Sequence, residues 1–563
     1  MFKALDYVNY DQLQVNARKA SDVGQERLPT NLLRSASLQE LCCDAINDSA
    51  DISLGCQDIL VSAVKVLPQH LLPMLLRVAI DNHQCTAVST IISCWPHHTL
   101  SFREVLGTAR YGDLFQDEMG FDLVVFRGIL TRKKCCKMRC LDFQGFKLNR
   151  TFCKLIVQMW PLISLKKQQM NTKRLATIIV KNAGFEDDKA FSENLPTLLK
   201  NTLDSILSRY KDIHINIPRG KKLIIKLDTL FFTSGDNFYL DYLVSNCLRS
   251  ITPVQIKVSN IHIRSGAFSF PCEMSELFTP FMVIHGHEAE TLEGLSLRQL
   301  EDSLFMVLSS QLKKFTNLRA LDIQDCSIYL QEGRTRSRTA SRLRITELFS
   351  SFSRLTRLDL SFNYILGCLG ELLHSLSCPL EYLALRGCDL DESDLQALAS
   401  SKHAASLREL NLSKLCQVVF FYQGRIPPSA LVSILRHFPL LAILNLSQNH
   451  IPNSLISELC SVLRFHLPKL KVLDISANVF LPEHQIDITA ACASIPCMQK
   501  LRLTTVTSFL QEFGGVGRGG AKEAPSIVRI LQTLEDLGRQ DLVVETVNLS
   551  RAIFIDVVDE FNL

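Results

Sequence analysis

Leu355-Thr-Arg-Leu358-Asp-Leu360-Ser-Phe-Asn363-Tyr-Ile365 is the stretch on which the fold turns. Leucines at alternate positions point one side of a short strand into a core. The asparagine then turns the chain, and its side chain can bond backbone that would otherwise be buried unpaired. The spacing returns in Leu441-Ala-Ile-Leu444-Asn-Leu446-Ser-Gln-Asn449-His-Ile451 and in Leu470-Lys-Val-Leu473-Asp-Ile475-Ser-Ala-Asn478-Val-Phe480. Two copies carry cysteine at the turn: Leu318, Leu321, Ile323, Cys326, Ile328, and Leu380, Leu383, Leu385, Cys388, Leu390. A weaker copy begins at Leu407, and Met498-Gln-Lys-Leu501-Arg-Leu503 closes the series.

Between these strands lie helix-like apolar stretches such as Leu369 to Leu376 and Leu455 to Leu463. One strand–helix unit cannot bury its own apolar face, so several must stack. The class expected is α/β, a leucine-rich-repeat solenoid shaped as a horseshoe, with an N-terminal helical region and a C-terminal cap. Upstream the rhythm is degraded: Met138, Leu141, Phe143, Phe146 and Leu148 fit it, and Leu223 to Leu227 and Val254 to Val258 alternate like strands. The layout expected is an extension over 1–30, helices over 31–125, the solenoid over 126–510, and a glycine-rich hinge with a cap over 511–563. Gly333 to Arg344, GRTRSRTASRLR, is basic and rich in Ser and Thr, and is expected to loop out of the array. Its functional alternative is a nuclear-import or phosphorylation segment.

A chain of 563 residues with 47% hydrophobic and 21% charged content is a folded one, too long for a single ordinary core. A net charge of +4 gives no reason to expect nucleic acid or a membrane as the main partner. Met1 to Tyr10 lacks the apolar core of a secretion signal, so the 19 cysteines are expected to stay reduced. The compartment expected is the cytoplasm, with the nucleus second.

In each repeat the residue between the second and third apolar positions points away from the core. This gives Asp322, Asp359, Ala384, Asn411, Asn445, Asp474 and Arg502, with Arg357, Tyr382, Glu409 and Lys500 beside them. The row is acidic early and basic at its end. It is the candidate substrate-binding surface, Arg and Tyr being residue types that often anchor interfaces. The competing reading is that the Asp and Asn side chains only solvate the strands and help satisfy turns.

Residues 31 to about 125 lack the repeat and carry two helical motifs. Leu38, Cys42 and Ile46 lie four apart after Ser37, a candidate cap, and so share a helix face. Leu67-Pro68 precedes Leu71 and Leu75, with the proline suited to a first helical turn. The first resembles an elongin-BC box and the second a cullin-2 box. The competing reading is that both helices merely cap the solenoid. Leu67 to Leu76, Cys94-Trp95-Pro96 and Leu100-Ser-Phe102 resemble the opening of the PRAME family. Met138 to Phe143 matches that family's first strand, and Ser401-Lys-His403-Ala404-Ala405-Ser-Leu407 an internal segment of it. The resemblance departs in the first thirty residues and in the basic stretch. It implies a leucine-rich horseshoe and, as in several members, service as substrate receptor of a cullin-2–elongin ubiquitin ligase. Elongin C with elongin B would then bind Leu38, Cys42 and Ile46; cullin-2 would bind Leu67, Pro68, Leu71 and Leu75; and an unknown protein substrate would bind the strand face. The alternative is a stand-alone interaction protein that represses a signalling complex of NF-kappa-B type, or a transcription complex.

No active site assembles. Cys135, Cys136 and Cys140 lack a paired motif at zinc spacing, and His285-Gly-His287-Glu288 reads as a turn. Gly514 to Gly520 has no following Lys-Ser/Thr and reads as a hinge. No nucleophile–base pair can be argued, so neither enzyme, metal nor cofactor is expected.

Overall fold

The computed structural model describes residues 57–106, 131–145, 171–183, 222–233, 254–264, 292–300, 315–330, 336–416, 426–504 and 525–547, apart from single positions, together with isolated residues such as Cys42, Cys43, Ala45 and Ile46. The chain divides into two compact units: residues 1–261 with 276–294, and residues 262–275 with 295–563. Among the described residues no helix is long and apolar enough to cross a membrane.

In the first unit, α1 (Gln57–Val66) and α2 (Leu72–Asp81) both pack against α3 (Cys85–Ser93). Pro73 starts α2, where its missing N–H is not needed. The sheet begins earlier than the sequence reading placed it. Strand β1 (Thr99–Ser101) lies within the expected helical region and pairs in parallel with β2 (Cys140–Asp142), which pairs with β3 (Leu223–Thr233). The spacing that marks later repeats is absent around Leu100, but Trp95 donates to the Thr99 carbonyl at 2.9 Å and aligns the strand. Helix α4 (Phe102–Leu106) lies between β1 and β2 in the chain and α5 (Thr172–Ala183) between β2 and β3, and strand β4 (Val254–Arg264) follows.

The second unit is a regular array. Its strands β5 (Gly294–Arg298), β6 (Ala320–Asp322), β7 (Arg357–Asp359), β8 (Tyr382–Ala384), β9 (Glu409–Asn411), β10 (Ile443–Asn445), β11 (Val472–Asp474), β12 (Lys500–Thr504) and β13 (Val543–Val547) stand in chain order. From β6 the register is one-to-one: Leu321, Leu358, Leu383, Leu410, Leu444, Leu473 and Leu501 lie side by side. All are buried beneath helices that pack in sequence. This is the α/β leucine-rich-repeat solenoid the spacing predicts.

The turns after these strands explain the asparagines. Asn449 Nδ2 donates to the carbonyls of Leu412 and Leu446 at 2.8 and 3.0 Å, and its Oδ1 accepts from the Leu415 and Cys416 amides. Asn363 and Asn478 do the same one repeat apart from their partners. Each asparagine thus satisfies buried backbone of two repeats at once. The cysteine copies do less: Cys326 and Cys388 each donate a thiol to a carbonyl of the preceding repeat, at 3.0 and 3.1 Å. The residue before each turn position is left-handed, at Asp325, Phe362, Gly387, Lys414, Gln448 and Ala477. Only Gly387 avoids the steric cost, and a side chain there would meet the Phe362 ring at 2.7 Å.

From Arg336 onward the basic stretch is not a loop. Residues Arg336–Ser351 form α6, the helix of that repeat. Ile345, Leu348, Phe349 and Phe352 anchor its C-terminal half in the core, and the helix propagates back through Arg and Ala, both good helix formers. The later helices are α7 (Leu369–Ser375), α8 (Glu392–Ser400), α9 (Pro428–Ile434), α10 (Ile456–His466) and α11 (Pro482–Ala493), and α12 (Pro525–Asp536) with β13 forms the expected cap. Arg539 fixes the cap by donating to the carbonyls of Ala493, Ile495 and Met498.

Candidate interaction surface

The strands present the predicted row on the side away from the helices, and its first property is structural. Asp322, Asp359, Asn411, Asn445 and Asp474 each accept, through Oδ1, the backbone N–H two residues on. The distances are 2.9–3.1 Å. One oxygen of each therefore closes a turn, and only the other atom faces outward.

The charges are largely paired within the sheet. Arg298 Nε meets Asp322 Oδ2 at 2.7 Å, with Ser296 Oγ on the same oxygen. Arg357 gives two bonds to Glu409 at 3.0 and 3.3 Å, spanning the strand between them. Its guanidinium sits 4.4 Å from the Tyr382 ring centroid. At the far end Arg502 bridges Asp474 and Glu545, and Lys500 joins Glu545 at 2.9 Å. Burial opposes ionisation of Glu545, but its bonds to Lys500 and Arg502 hold its pKa below the usual carboxylate value. The basic end of the predicted row is thus neutralised by β13, a strand too far along the chain for the spacing to connect.

Tyr382 is corrected as an exposed anchor. It is 5% exposed, covered by the Arg357–Glu409 pair, and Ala384 on the same strand is also buried. The spacing instead passes over Ile443 and Val472, half-buried apolar residues aligned with Glu409 and Lys500. Their signal was a branched apolar residue at a position held elsewhere by Arg, Glu or Lys.

At the N-terminus, Cys42, Cys43, Ala45 and Ile46 are helical; Cys42 is exposed, Cys43 buried and Ile46 half-buried. Leu38 lies outside the described residues, as do the His285–Glu288 and Gly514–Gly520 motifs and residues 1–30. Leu67 and Leu71 are half-buried and Pro68 is exposed, next to Val66 at 83% exposure. Leu75 is corrected: it is fully buried, because the inward stripe of α2 runs through Leu72, Leu75, Leu76 and Ala79. Of the clustered cysteines Cys136 is buried while Cys135 and Cys140 are partly exposed, and every described cysteine is a free thiol.

Stacked strand–helix units with an asparagine ladder and an ion-paired strand face define a leucine-rich-repeat protein of the kind that works by binding other proteins. The chain is similar to leucine-rich repeat-containing protein 14 of Xenopus laevis, with 24% identity over 398 residues, 68% of this chain and 70% of that protein. It is also similar to PRAME family member 19 of Homo sapiens, with 22% identity over 362 residues. That match covers 63% of this chain and spans just under two thirds, 64%, of the relative. No protein-family model matches the chain. Among solved structures, the leucine-rich repeat-containing protein LegL7 of Legionella pneumophila aligns at a TM-score of 0.34 and 15% identity, over 60% of this chain and 99% of that one.

Proposed function

We propose that the chain is the substrate-recognition subunit of a cullin-2–elongin BC ubiquitin ligase, holding a protein target on the strand face of its repeats. The observation that carries this reading is the orientation of the helical stretch at Cys42. A helix that only capped the array would turn the stripe of Leu38, Cys42 and Ile46 inward, yet Cys42 is exposed and its neighbour Cys43 faces the core. A small exposed side chain lets a partner helix approach closely. Val66, Leu67, Pro68 and Leu71 extend an accessible apolar edge nearby in sequence, the surface assigned to cullin-2 once Leu75 is set aside. The contribution to catalysis is proximity of target and ligase rather than chemistry in this chain. Reduced thiols accord with a cytoplasmic or nuclear site of action.

Affinity purification from cells, scored for elongins B and C and cullin-2, tests the reading. Wild type captures all three, and Leu38→Asp with Cys42→Asp loses all three at an unchanged melting transition. Changing Leu67, Pro68 and Leu71 to Ala loses cullin-2 alone. Elongin capture unaffected by the first variant overturns the assignment, and cullin-5 in place of cullin-2 overturns the cullin choice.

A further inference from the structure

Cys94 closes the C-terminus of α3, and Cys135 lies in a turn on the way to β2. The backbone holds the two opposite each other. The Lys133 N–H donates to the Ser93 carbonyl, and the Lys137 N–H to the Trp95 carbonyl, each at 2.9 Å. The two neighbours of Cys94 are thus bonded to the residues two before and two after Cys135. The turn is closed by the Cys136 amide on the Lys133 carbonyl at 3.0 Å. Upstream the same segment runs close along α3: a side chain at Gly128 would meet the Ser89 carbonyl oxygen at 2.8 Å and Ile92 Cβ at 2.9 Å. Within this frame the Cys135 thiol is a hydrogen-bonding neighbour of the Cys94 thiol. Access is unequal, since Cys94 is 1% exposed and Cys135 partly exposed. The adjacent Cys136 is buried, with its thiol 3.9 Å from the Ile92 carbonyl.

We infer that Cys94 and Cys135 form a reversible disulfide, driven by hydrogen peroxide, that locks the end of α3 to the chain entering β2. Cys135, open to solvent, reacts first. Its thiolate sulfur attacks one peroxide oxygen, so that an S–O bond forms, the O–O bond breaks and hydroxide leaves with the second oxygen. Cys94 then gives up its proton, and its sulfur attacks the Cys135 sulfur. The S–S bond forms, the S–O bond breaks, and the oxygen of the sulfenic acid leaves as water. Two thiols are oxidised and one peroxide is reduced to two waters; a small thiol such as glutathione reverses the bond by exchange. Burial, the largest influence on Cys94, pushes its thiol up, which suits it to the second step rather than the first. Because the flanking backbone already sets the two thiols together, closure needs little movement. Cys460 and Cys492, on α10 and α11, also lie close to each other, but both are buried and neither is open to an oxidant. The groups that act on Cys140 are Lys226, Asp142, Lys257 and Thr99, with no thiol among them. The lock bears on the first unit, where α1 and α2 pack against α3. Neither thiol belongs to the proposed ligase or target surfaces.

The full chain, reduced and freed of thiol, is treated with hydrogen peroxide, alkylated, digested with trypsin without reduction and read by mass spectrometry. The expected product joins the peptide Val78 to Arg103 to the peptide Cys135-Cys136-Lys137. It disappears on treatment with glutathione. Cys135→Ser abolishes it, and so does Cys94→Ser, whereas Cys85→Ser and Cys136→Ser retain it. The oxidised wild type melts higher than the reduced protein, because the bond closes a long loop of the unfolded chain, and Cys135→Ser shows no such difference. Cys135 is partly exposed, so its serine variant keeps the fold and carries the test even where Cys94→Ser, at a buried position, does not fold. Absence of the joined peptide in peroxide-treated wild type overturns the disulfide. So does its survival in Cys135→Ser, or its loss in Cys136→Ser or Cys85→Ser, either of which would assign the bond to another thiol. A joined peptide that glutathione does not release overturns its reversibility.

Discussion

Asn449 binds two repeats through four backbone groups, so its removal is expected to be felt out of proportion to its size. Asn449→Ala leaves those groups buried and unbonded, and we predict a loss of about 2–4 kcal/mol in chemical denaturation. Asn449→Cys loses less, because Cys326 and Cys388 show that a thiol recovers one bond at this position. Asp359 behaves in the opposite sense. Its carboxyl is raised from 3.8 to about 6, so the folded state binds the proton more tightly than the unfolded one. Its contribution to stability therefore rises as pH falls from about 6 towards 4, by up to about 3 kcal/mol and less where solvent reaches the site. Asp359→Asn is expected to raise the melting temperature at pH 7 and to flatten that part of the pH profile. A lower melting temperature at pH 7 would show that the carboxylate has a stabilising partner.

At the scale of elements, the basic helix α6 and the buried His403 each make a stability contribution that can be tested. Ser341 lies inside α6, so Ser341→Pro removes a helical hydrogen bond and is expected to destabilise by about 3 kcal/mol. A loop would tolerate the same change, so an unaltered melting curve would restore the loop reading. His403 is fully buried between repeats: its Nδ1 accepts from the Leu380 amide at 3.0 Å and its Nε2 lies 2.8 Å from the Leu373 carbonyl. Burial lowers its pKa from 6.5. The neutral ring is what the fold holds, so its stabilisation is present above 6.5 and is lost as pH falls below it. His403→Ala should lower stability at pH 7 and remove that acid sensitivity, read from melting curves between about pH 7 and 5. The motif around His403 was legible as a family resemblance, but its spacing does not say that the ring bridges α7 to Leu380, two residues before β8.

At the scale of the whole molecule, the proposed function divides between an N-terminal edge and a strand face. Arg357→Glu with Tyr382→Ala is a poor probe of that face, since Tyr382 is buried and Arg357 would leave Glu409 facing another carboxylate. Ile443→Glu with Val472→Glu is the better one, because both side chains are half-buried and carry no turn. It is expected to weaken capture of the protein target while leaving elongin capture and the melting transition close to wild type. Target capture at wild-type strength would move recognition off this face.

The sequence by itself determined the repeat, its strand positions and its core, because Leu358, Leu383, Leu444 and their equivalents recur at a spacing that only a stacked array can bury. It also named the outward row, since strand side chains alternate. It did not determine which of those charges are free. Arg502 meets Glu545 from 43 residues away, and Arg357 meets Glu409 from 52. Such pairings depend on register between strands, to which the local pattern is blind. Tertiary structure likewise buried Leu75 and exposed Cys42, because the face a helix turns to the core is fixed by what packs against it.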